Sequence, residues 1–189
     1  MTTTTSTLTT IGLDELIALG SLQTRVDRKY ALTSGDAAMA LALVDAGCTR
    51  VLEIDGVTDL GYTSVYLDTD ALDTYLLAAR DRRRRFKVRS RTYESNGASF
   101  LEVKTRRGDR TVKDRLPGQH VQNGRLGDEG AAFVARTLRL AGVRTDAVRK
   151  LSASLRVDYR RVTLFHEPTA SRVTIDSGLT WWDMRTGAR

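Results

Sequence analysis

Cysteine and histidine are scarce in this sequence. A single cysteine, Cys48, rules out an internal disulfide, and the only two histidines, His120 and His166, stand far apart. These residues therefore do not form a metal-ligand cluster at zinc-type spacing. The sequence excludes both a disulfide scaffold and a zinc site built from cysteine and histidine.

Long apolar runs are also lacking. No apolar stretch approaches the roughly 20 residues that a membrane-spanning helix requires. The first ten residues, MTTTTSTLTT, contain neither the basic region nor the apolar region of a secretory signal peptide. We therefore expect a cytoplasmic protein with no membrane span.

Positive charge, in contrast, is abundant. The chain of 189 residues has 30 lysines and arginines against 23 acidic residues, which gives a formal charge of +7. Hydrophobic residues make up 41% of the chain, which is typical of a globular protein and not of a disordered polycation. This balance predicts a globular protein that binds an anionic partner such as nucleic acid, nucleotide, polyphosphate or acidic lipid.

Strand and helix patterns alternate along the chain without a linker or an internal repeat. Residues 1–20 read as a polar tail and a short helix, and residues 21–189 read as one domain. The segment SLQTRVDRKYALT is predicted to be a strand that contains Lys29, and Ser34 is predicted to cap the following helix, which Gly47 would end. We expect an α+β fold dominated by antiparallel sheet.

The segment FLEVKTRRGDRTVKDR, residues 100–115, predicts a hairpin with cations on one side. Because side chains alternate along a strand, Glu102, Lys104 and Arg106 share one face of the first arm. Lys113 and Arg115 likewise share one face of the second arm. These charges point in the same direction, so an acidic partner is expected opposite them.

The same alternation recurs on the other predicted strands. In FKVRSRTY, the side chains of Lys87, Arg89 and Arg91 lie opposite Phe86 and Val88. Two later strands place further polar residues together, namely Tyr159 with Arg161 and Arg172 with Asp176. The sequence therefore predicts a sheet with one cationic face and one apolar face, and amphipathic helices that pack on the apolar face.

Closure of this sheet would demand a multivalent anion. Two cations at alternate positions of a strand repel by roughly 2 kcal/mol at an effective dielectric constant of about 20, and less in open water. If the strands close into a barrel, the cations point into a confined space and require an anionic ligand. The alternative is a set of ordinary strands whose charged sides face the solvent.

Aromatic residues are few, at 6% of the chain. The basic strands lack interleaved rings on which nucleobases could stack, which argues against nucleic acid. Arginine and lysine without rings suit phosphate groups better.

A set of motifs resembles a known family. The segments TRVDRKY, YLDT, KVRSRTY, FLEVKTR, TVKDR, YRRVTLF and RVTIDSGL occur in the order seen in VTC domains, the polyphosphate polymerase branch of the triphosphate tunnel metalloenzymes, or CYTH-like superfamily. The resemblance covers residues 21–183. It implies an antiparallel β-barrel, the triphosphate tunnel, with helices packed outside. The last strands of the family do not occur in this sequence, either because the sequence is truncated or because this variant has lost them, so the barrel is expected to be incomplete at its C-terminus.

The resemblance also implies an activity and its site. The activity is the metal-dependent transfer of the terminal phosphoryl group of ATP onto polyphosphate, with Mn²⁺ or Mg²⁺. The implied phosphate-binding residues are Lys29, Arg89, Arg91, Lys104, Lys113, Arg161 and Arg172. Secondary candidates are Glu102, Arg115, Tyr159 and Asp176. The glutamate that binds the metal in the family would lie beyond residue 189, so no metal ligand or catalytic residue is assigned.

Three functions remain open from the sequence. The first is a polyphosphate polymerase that binds ATP and polyphosphate. The second is an inorganic triphosphatase with the same fold, which would bind triphosphate and release orthophosphate. The third is a non-catalytic module that binds a polyanion, either polyphosphate or RNA.

Overall fold

The structure, a computed structural model, describes residues 7–19, 28–107 and 110–189. Most of the predicted strand SLQTRVDRKYALT lies outside the described residues. Its described part, residues 28–33, contains no strand, so the prediction of a strand is wrong there.

The described residues form four α-helices, two short 3-10 helices and ten strands. The helices are α1 (Leu13–Leu19), α2 (Ser34–Ala42), α3 (Asp73–Ala79) and α4 (Asp128–Leu140), with 3-10 helices at Val148–Lys150 and Glu167–Thr169. The strands are β1 (Thr9–Ile11), β2 (Thr49–Leu52), β3 (Asp59–Asp68), β4 (Arg84–Tyr93), β5 (Ser99–Arg107), β6 (Arg110–Pro117), β7 (Val121–Gln122), β8 (Arg125–Leu126), β9 (Ser152–His166) and β10 (Ser171–Asp183). None of these helices is long and apolar enough to cross a membrane.

Contacts within the chain define two compact units. Unit 1 contains the described residues up to Leu60 together with Arg160–Ser177, and unit 2 contains Gly61–Tyr159 together with Gly178–Arg189. The long strands β9 and β10 each contribute residues to both units. The single domain expected for residues 21–189 stays a prediction.

Unit 2 is built on an antiparallel meander. Strands β3, β4, β5 and β6 pair in chain order, β9 lies beside β3, and β10 pairs with β9. The apolar sides of β4 and β5 pack against α4. The buried cluster includes Phe86, Val88, Leu101, Val103, Phe133, Val134 and Leu138. The prediction that an amphipathic helix covers the apolar face is confirmed in this unit.

Unit 1 contains a parallel strand pair. Strand β1 pairs parallel with β2, and β2 pairs antiparallel with the end of β9. A smaller core of Leu41, Val51 and Leu164 holds α2 against these strands. The sheet is therefore mixed, which agrees with the predicted α+β class, while the closed antiparallel tunnel that the family resemblance implies stays a prediction.

Helix α4 has clear start and stop signals. Asp128 and Glu129 occupy its first turn, where negative charge interacts favourably with the helix dipole. After Leu140 the chain reaches Gly142 at a φ of 65°, a left-handed conformation that glycine adopts without strain. The backbone N–H groups of Gly142 and Val143 donate to the carbonyls of Arg139 and Leu138. This closing pattern satisfies two of the last carbonyls and ends the helix.

Helix α2 begins one residue earlier than expected. Its N-cap is Thr33, whose side chain accepts a hydrogen bond from the Asp36 backbone, while the Asp36 carboxylate accepts one from the Thr33 backbone. Because this reciprocal pair satisfies two N–H groups, Thr33 is a better cap than Ser34. The helix ends at Ala42, well before Gly47, so both predicted boundaries are wrong.

Candidate functional site

The charged side chains of β4, β5 and β6 lie on one side of the meander. Residues directly opposite each other in adjacent antiparallel strands point to the same side. The register pairs Arg89 with Glu102 and Glu102 with Arg115, and it pairs Lys104 with both Lys87 and Lys113. We call this side the cationic face; it comprises Lys87, Arg89, Arg91, Glu102, Lys104, Lys113 and Arg115. The predicted co-direction of these charges is confirmed.

A buried carboxylate stands at the centre of the cationic face. Glu102 is only 2% exposed. Arg89 approaches its Oε2 atom with Nη2 at 2.6 Å and Nε at 2.7 Å. The Oε1 atom lies 2.8 Å from Lys113 Nζ and 3.0 Å from Arg115 Nε. One carboxylate on β5 therefore holds three cations from the two neighbouring strands, because the register places β5 between β4 and β6.

This arrangement changes the ionisation of both kinds of group. Burial raises the pKa of Glu102, but the charge of Arg89 and the hydrogen bond and charge of Lys113 outweigh it and lower the pKa to about 2. Burial lowers the pKa of Lys113 to about 8, since the opposing effect of Glu102 is only partial. The carboxylate is thus ionised at neutral pH, whereas the lysine is poised to lose its proton just above neutrality.

Arg91 is the most deeply buried cation of the face, at 6% exposure. Its Nη2 donates to the hydroxyl of Tyr159 at 2.8 Å, and its Nε lies 3.4 Å from Ser64 Oγ. The guanidinium carbon also lies 5.4 Å from the ring centre of Tyr62. Both hydrogen-bond partners are neutral hydroxyls, and Arg91 forms no ion pair within the described part of the chain. Its positive charge is therefore held in place without being neutralised directly.

Tyrosines from the neighbouring strands position these arginines. The rings of Tyr62 and Tyr159 stack with centres 5.2 Å apart and planes 9° apart. The hydroxyl of Tyr66 accepts a hydrogen bond of 3.0 Å from Arg89 Nη1. Sequence reasoning missed Tyr62 and Tyr66, although their spacing of four residues in GYTSVYLD places them on one strand face.

The remaining predicted residues lie in unit 1. Lys29 is exposed in the irregular segment before α2. Arg161 forms a two-bond ion pair with Asp176, at 2.6 Å from Nε to Oδ1 and 2.7 Å from Nη2 to Oδ2. Arg172 is exposed on β10. The phosphate-binding roles of these residues stay predictions, and Asp176 acts as the counter-ion of Arg161.

Anion binding at the cationic face should weaken as Lys113 loses its proton. A bound anion favours the charged lysine, so affinity should fall as pH rises through about 8, the pKa of Lys113 in the free protein. Between pH 7.5 and 9 we expect the dissociation constant for tripolyphosphate to rise by up to about eightfold from this group. Isothermal titration calorimetry across this range measures the effect.

The matched control is Lys113→Arg, which keeps its charge over the whole range. Protonation of tripolyphosphate itself changes with pH, but it affects both proteins equally and therefore cancels in the comparison. Identical pH profiles for the two proteins would contradict a role for Lys113 in anion binding.

The described residues contain no group of three or more histidine, cysteine, aspartate or glutamate side chains that could hold a metal ion. Both oxygens of Glu102 already face cations at ion-pair distance. These side chains therefore do not fit a protein-built divalent metal site.

Comparison with known proteins establishes the family. The model of the VTC domain matches residues 24–188, almost the whole chain. The chain therefore belongs to the VTC domain family, as the ordered motifs indicated. No curated protein matches the sequence.

Proposed function

We propose that the chain is a polyphosphate polymerase-like domain that binds ATP and polyphosphate through its cationic face. The observation that supports this most directly is the convergence of Arg89, Arg91, Lys113 and Arg115 on one side of unit 2. Membership of the VTC domain family supports the same substrate class.

The reaction that we propose is phosphoryl transfer. A terminal oxygen of polyphosphate attacks the γ-phosphorus of ATP, the bond from that phosphorus to the β,γ-bridging oxygen breaks, and ADP leaves. Such a transition state depends on positioning and on neutralising charge at the oxygens of the transferred group. Arg89 and Arg91 would supply fixed donors for these oxygens, since both guanidiniums are held by partners on adjacent strands.

Glu102 keeps the three surrounding cations assembled before any ligand arrives. Without a counter-charge, Arg89, Lys113 and Arg115 would repel one another and spread into the solvent. An incoming phosphate chain can share these cations with Glu102. It can also take the place of Glu102 as the partner of Lys113 and Arg115, whose side chains are 37% and 46% exposed. The resting face is therefore preassembled, and Lys113 and Arg115 are its accessible cations.

A divalent cation, Mn²⁺ or Mg²⁺, remains part of this proposal. Magnesium commonly binds through substrate phosphates and one or two carboxylates rather than through a complete protein cage. Because the described residues do not form such a cage, we assign no ligand and derive no step through the metal. Lys29, Arg161 and Arg172 remain proposed phosphate ligands through their motifs alone.

The test follows the product of purified protein incubated with ATP and Mn²⁺. Long-chain polyphosphate on gels supports the proposal, whereas orthophosphate without polymer indicates an inorganic triphosphatase of the same fold. The assay should include both this chain and the longest natural polypeptide that contains it. If the longer polypeptide binds tripolyphosphate but yields neither product, the protein is a binding module and not a polymerase.

A further inference from the structure

Strand β10 contains the only two tryptophans of the sequence, and their surroundings differ sharply. The ring centre of Trp182 lies 5.1 Å from the guanidinium carbon of Arg156 and 5.4 Å from that of Arg189. The side chain of Trp181, in contrast, is 53% exposed. One tryptophan is thus covered by two arginines, while its neighbour is open to the solvent.

The strand pattern shows which way Trp181 points. Adjacent side chains of a strand point to opposite faces. Trp182 contacts Arg156 of β9, so the two share a face. Tyr159 lies three residues beyond Arg156 and therefore points to the other face, which is also the face of Trp181. Both tryptophans and the β9 residues belong to unit 2.

Tyr159 connects this side of the strands to the cationic face, because its hydroxyl accepts the hydrogen bond from Arg91. The side of the sheet that carries the cationic face thus extends over β10, β9 and the meander, and it has two halves. Strands β10, β9 and β3 contribute rings, and β4, β5 and β6 contribute the cations together with the rings of Tyr93 and Phe100. The ring half comprises Trp181, Tyr159, Tyr62 and Tyr66.

The two halves are arranged at a distance that suits a nucleotide. Strand β10 and strand β4 are separated by β9 and β3, which corresponds to three interstrand spacings, or about 14 Å along the sheet. Trp181 is the ring of this half that is most exposed, since Tyr62 and Tyr159 are buried against each other. An extended nucleoside triphosphate spans a comparable length, with an aromatic base at one end and a chain of anionic phosphates at the other.

We propose that Trp181 is the platform on which the base of a nucleoside triphosphate stacks while the phosphates lie on Arg89 and Arg91. Base stacking needs an exposed ring face, and every nucleobase offers one in return. The inference rests on the proposed function, and it adds the residue that distinguishes a nucleotide donor from inorganic triphosphate.

The first experiment compares two ligands that share the phosphate chain but differ in the base. Binding of the β,γ-imido analogue of ATP and of tripolyphosphate is measured by calorimetry at one fixed Mg²⁺ concentration. We expect Trp181→Ala to weaken binding of the analogue by about 5- to 100-fold and to change tripolyphosphate binding by less than about twofold. Trp181→Phe should retain most of the affinity for the analogue, because the ring is kept.

Tyr75→Ala serves as the matched control. Tyr75 is a comparably exposed aromatic residue, at 61%, but it lies on helix α3. Its removal should change the affinity of neither ligand. Circular dichroism of each variant verifies that the fold is retained.

The second experiment uses tryptophan emission. In Trp182→Phe, Trp181 is the only tryptophan left, so its fluorescence reports on that position alone. The ATP analogue should quench this emission by stacking, and tripolyphosphate should quench it far less.

The outcomes separate this inference from the proposed function. If tripolyphosphate binds but Trp181→Ala weakens neither ligand, or weakens both equally, the base platform is wrong and the phosphate site stands. Equal quenching by the two ligands leads to the same conclusion. If the unaltered protein binds neither ligand, the proposed function and this inference are both overturned.

Discussion

Replacing Arg89 and Arg91 together by methionine is expected to weaken tripolyphosphate binding by roughly 100-fold or more. Hydrogen bonds to charged groups contribute about 1.5–3 kcal/mol each, so the loss of two guanidiniums suffices for this effect. Methionine is preferred to alanine because Arg91 is buried among Tyr62, Tyr159 and Ser64, and a flexible apolar side chain fills most of the space of its stem. Calorimetry with tripolyphosphate measures the change.

The control for this double variant removes two positive charges elsewhere. Arg136 and Arg139 lie exposed on α4, the helix that packs on the opposite side of the meander. Their replacement by methionine lowers the net charge by the same amount and tests non-specific attraction alone. A similar loss of affinity in both double variants would contradict a specific site on the cationic face.

Replacing Glu102 by glutamine is expected to destabilise the free protein by roughly 2–3 kcal/mol. Removal of one member of a fully buried ion pair typically costs about 3–5 kcal/mol, and we expect less because Lys113 and Arg115 remain partly exposed. The loss should be offset when tripolyphosphate is present, since the anion supplies the missing negative charge. The midpoint of thermal unfolding should therefore rise more with tripolyphosphate in Glu102→Gln than in the unaltered protein.

The pH dependence of stability gives a second measurement of the same variant. The pKa of Glu102 is about 2 in the folded protein against an ordinary value of 4.5, so its contribution is complete above about pH 4.5 and disappears as the pH falls towards 2. Glu102→Gln should lack this component of the acid transition. Glu94→Gln is a suitable control, because Glu94 lies exposed just after the end of β4. If the two variants respond alike to pH and to tripolyphosphate, Glu102 does not organise the cations.

The alternation of residues in the strands predicted the candidate site in part. It correctly placed Arg89 and Arg91 on one face of β4, with Phe86 and Val88 on the other, because side-chain direction follows from a local repeat of two. It did not predict that Glu102 would be held by three cations. That contact depends on the register among β4, β5 and β6, which local sequence does not encode.

The aromatic content of the sequence was a poorer guide to where the aromatic side chains lie in the fold. A low aromatic content suggested that the basic strands have no rings beside their cations, but Tyr93 of β4 packs against Tyr62, and Phe100 of β5 lies 5.8 Å from the guanidinium carbon of Arg115. The structure places Tyr62 and Tyr159 beside Arg91 from strands that are distant in sequence. The aromatic content is an average over the whole chain. The number of rings near a given cation depends instead on which strands lie beside each other.

The sequence by itself determined the family, the positions of most strands and the side to which each charged residue of the hairpin points. These properties follow from ordered motifs and from periodicity, which extend over a few residues at a time. Only the tertiary structure decided which charges are buried and which partners they have. Arg91 is enclosed whereas Lys87, on the same face of the same strand, is exposed. The reason is physical: burial and ionisation depend on side chains that other strands bring into contact, and that proximity arises only when the sheet forms.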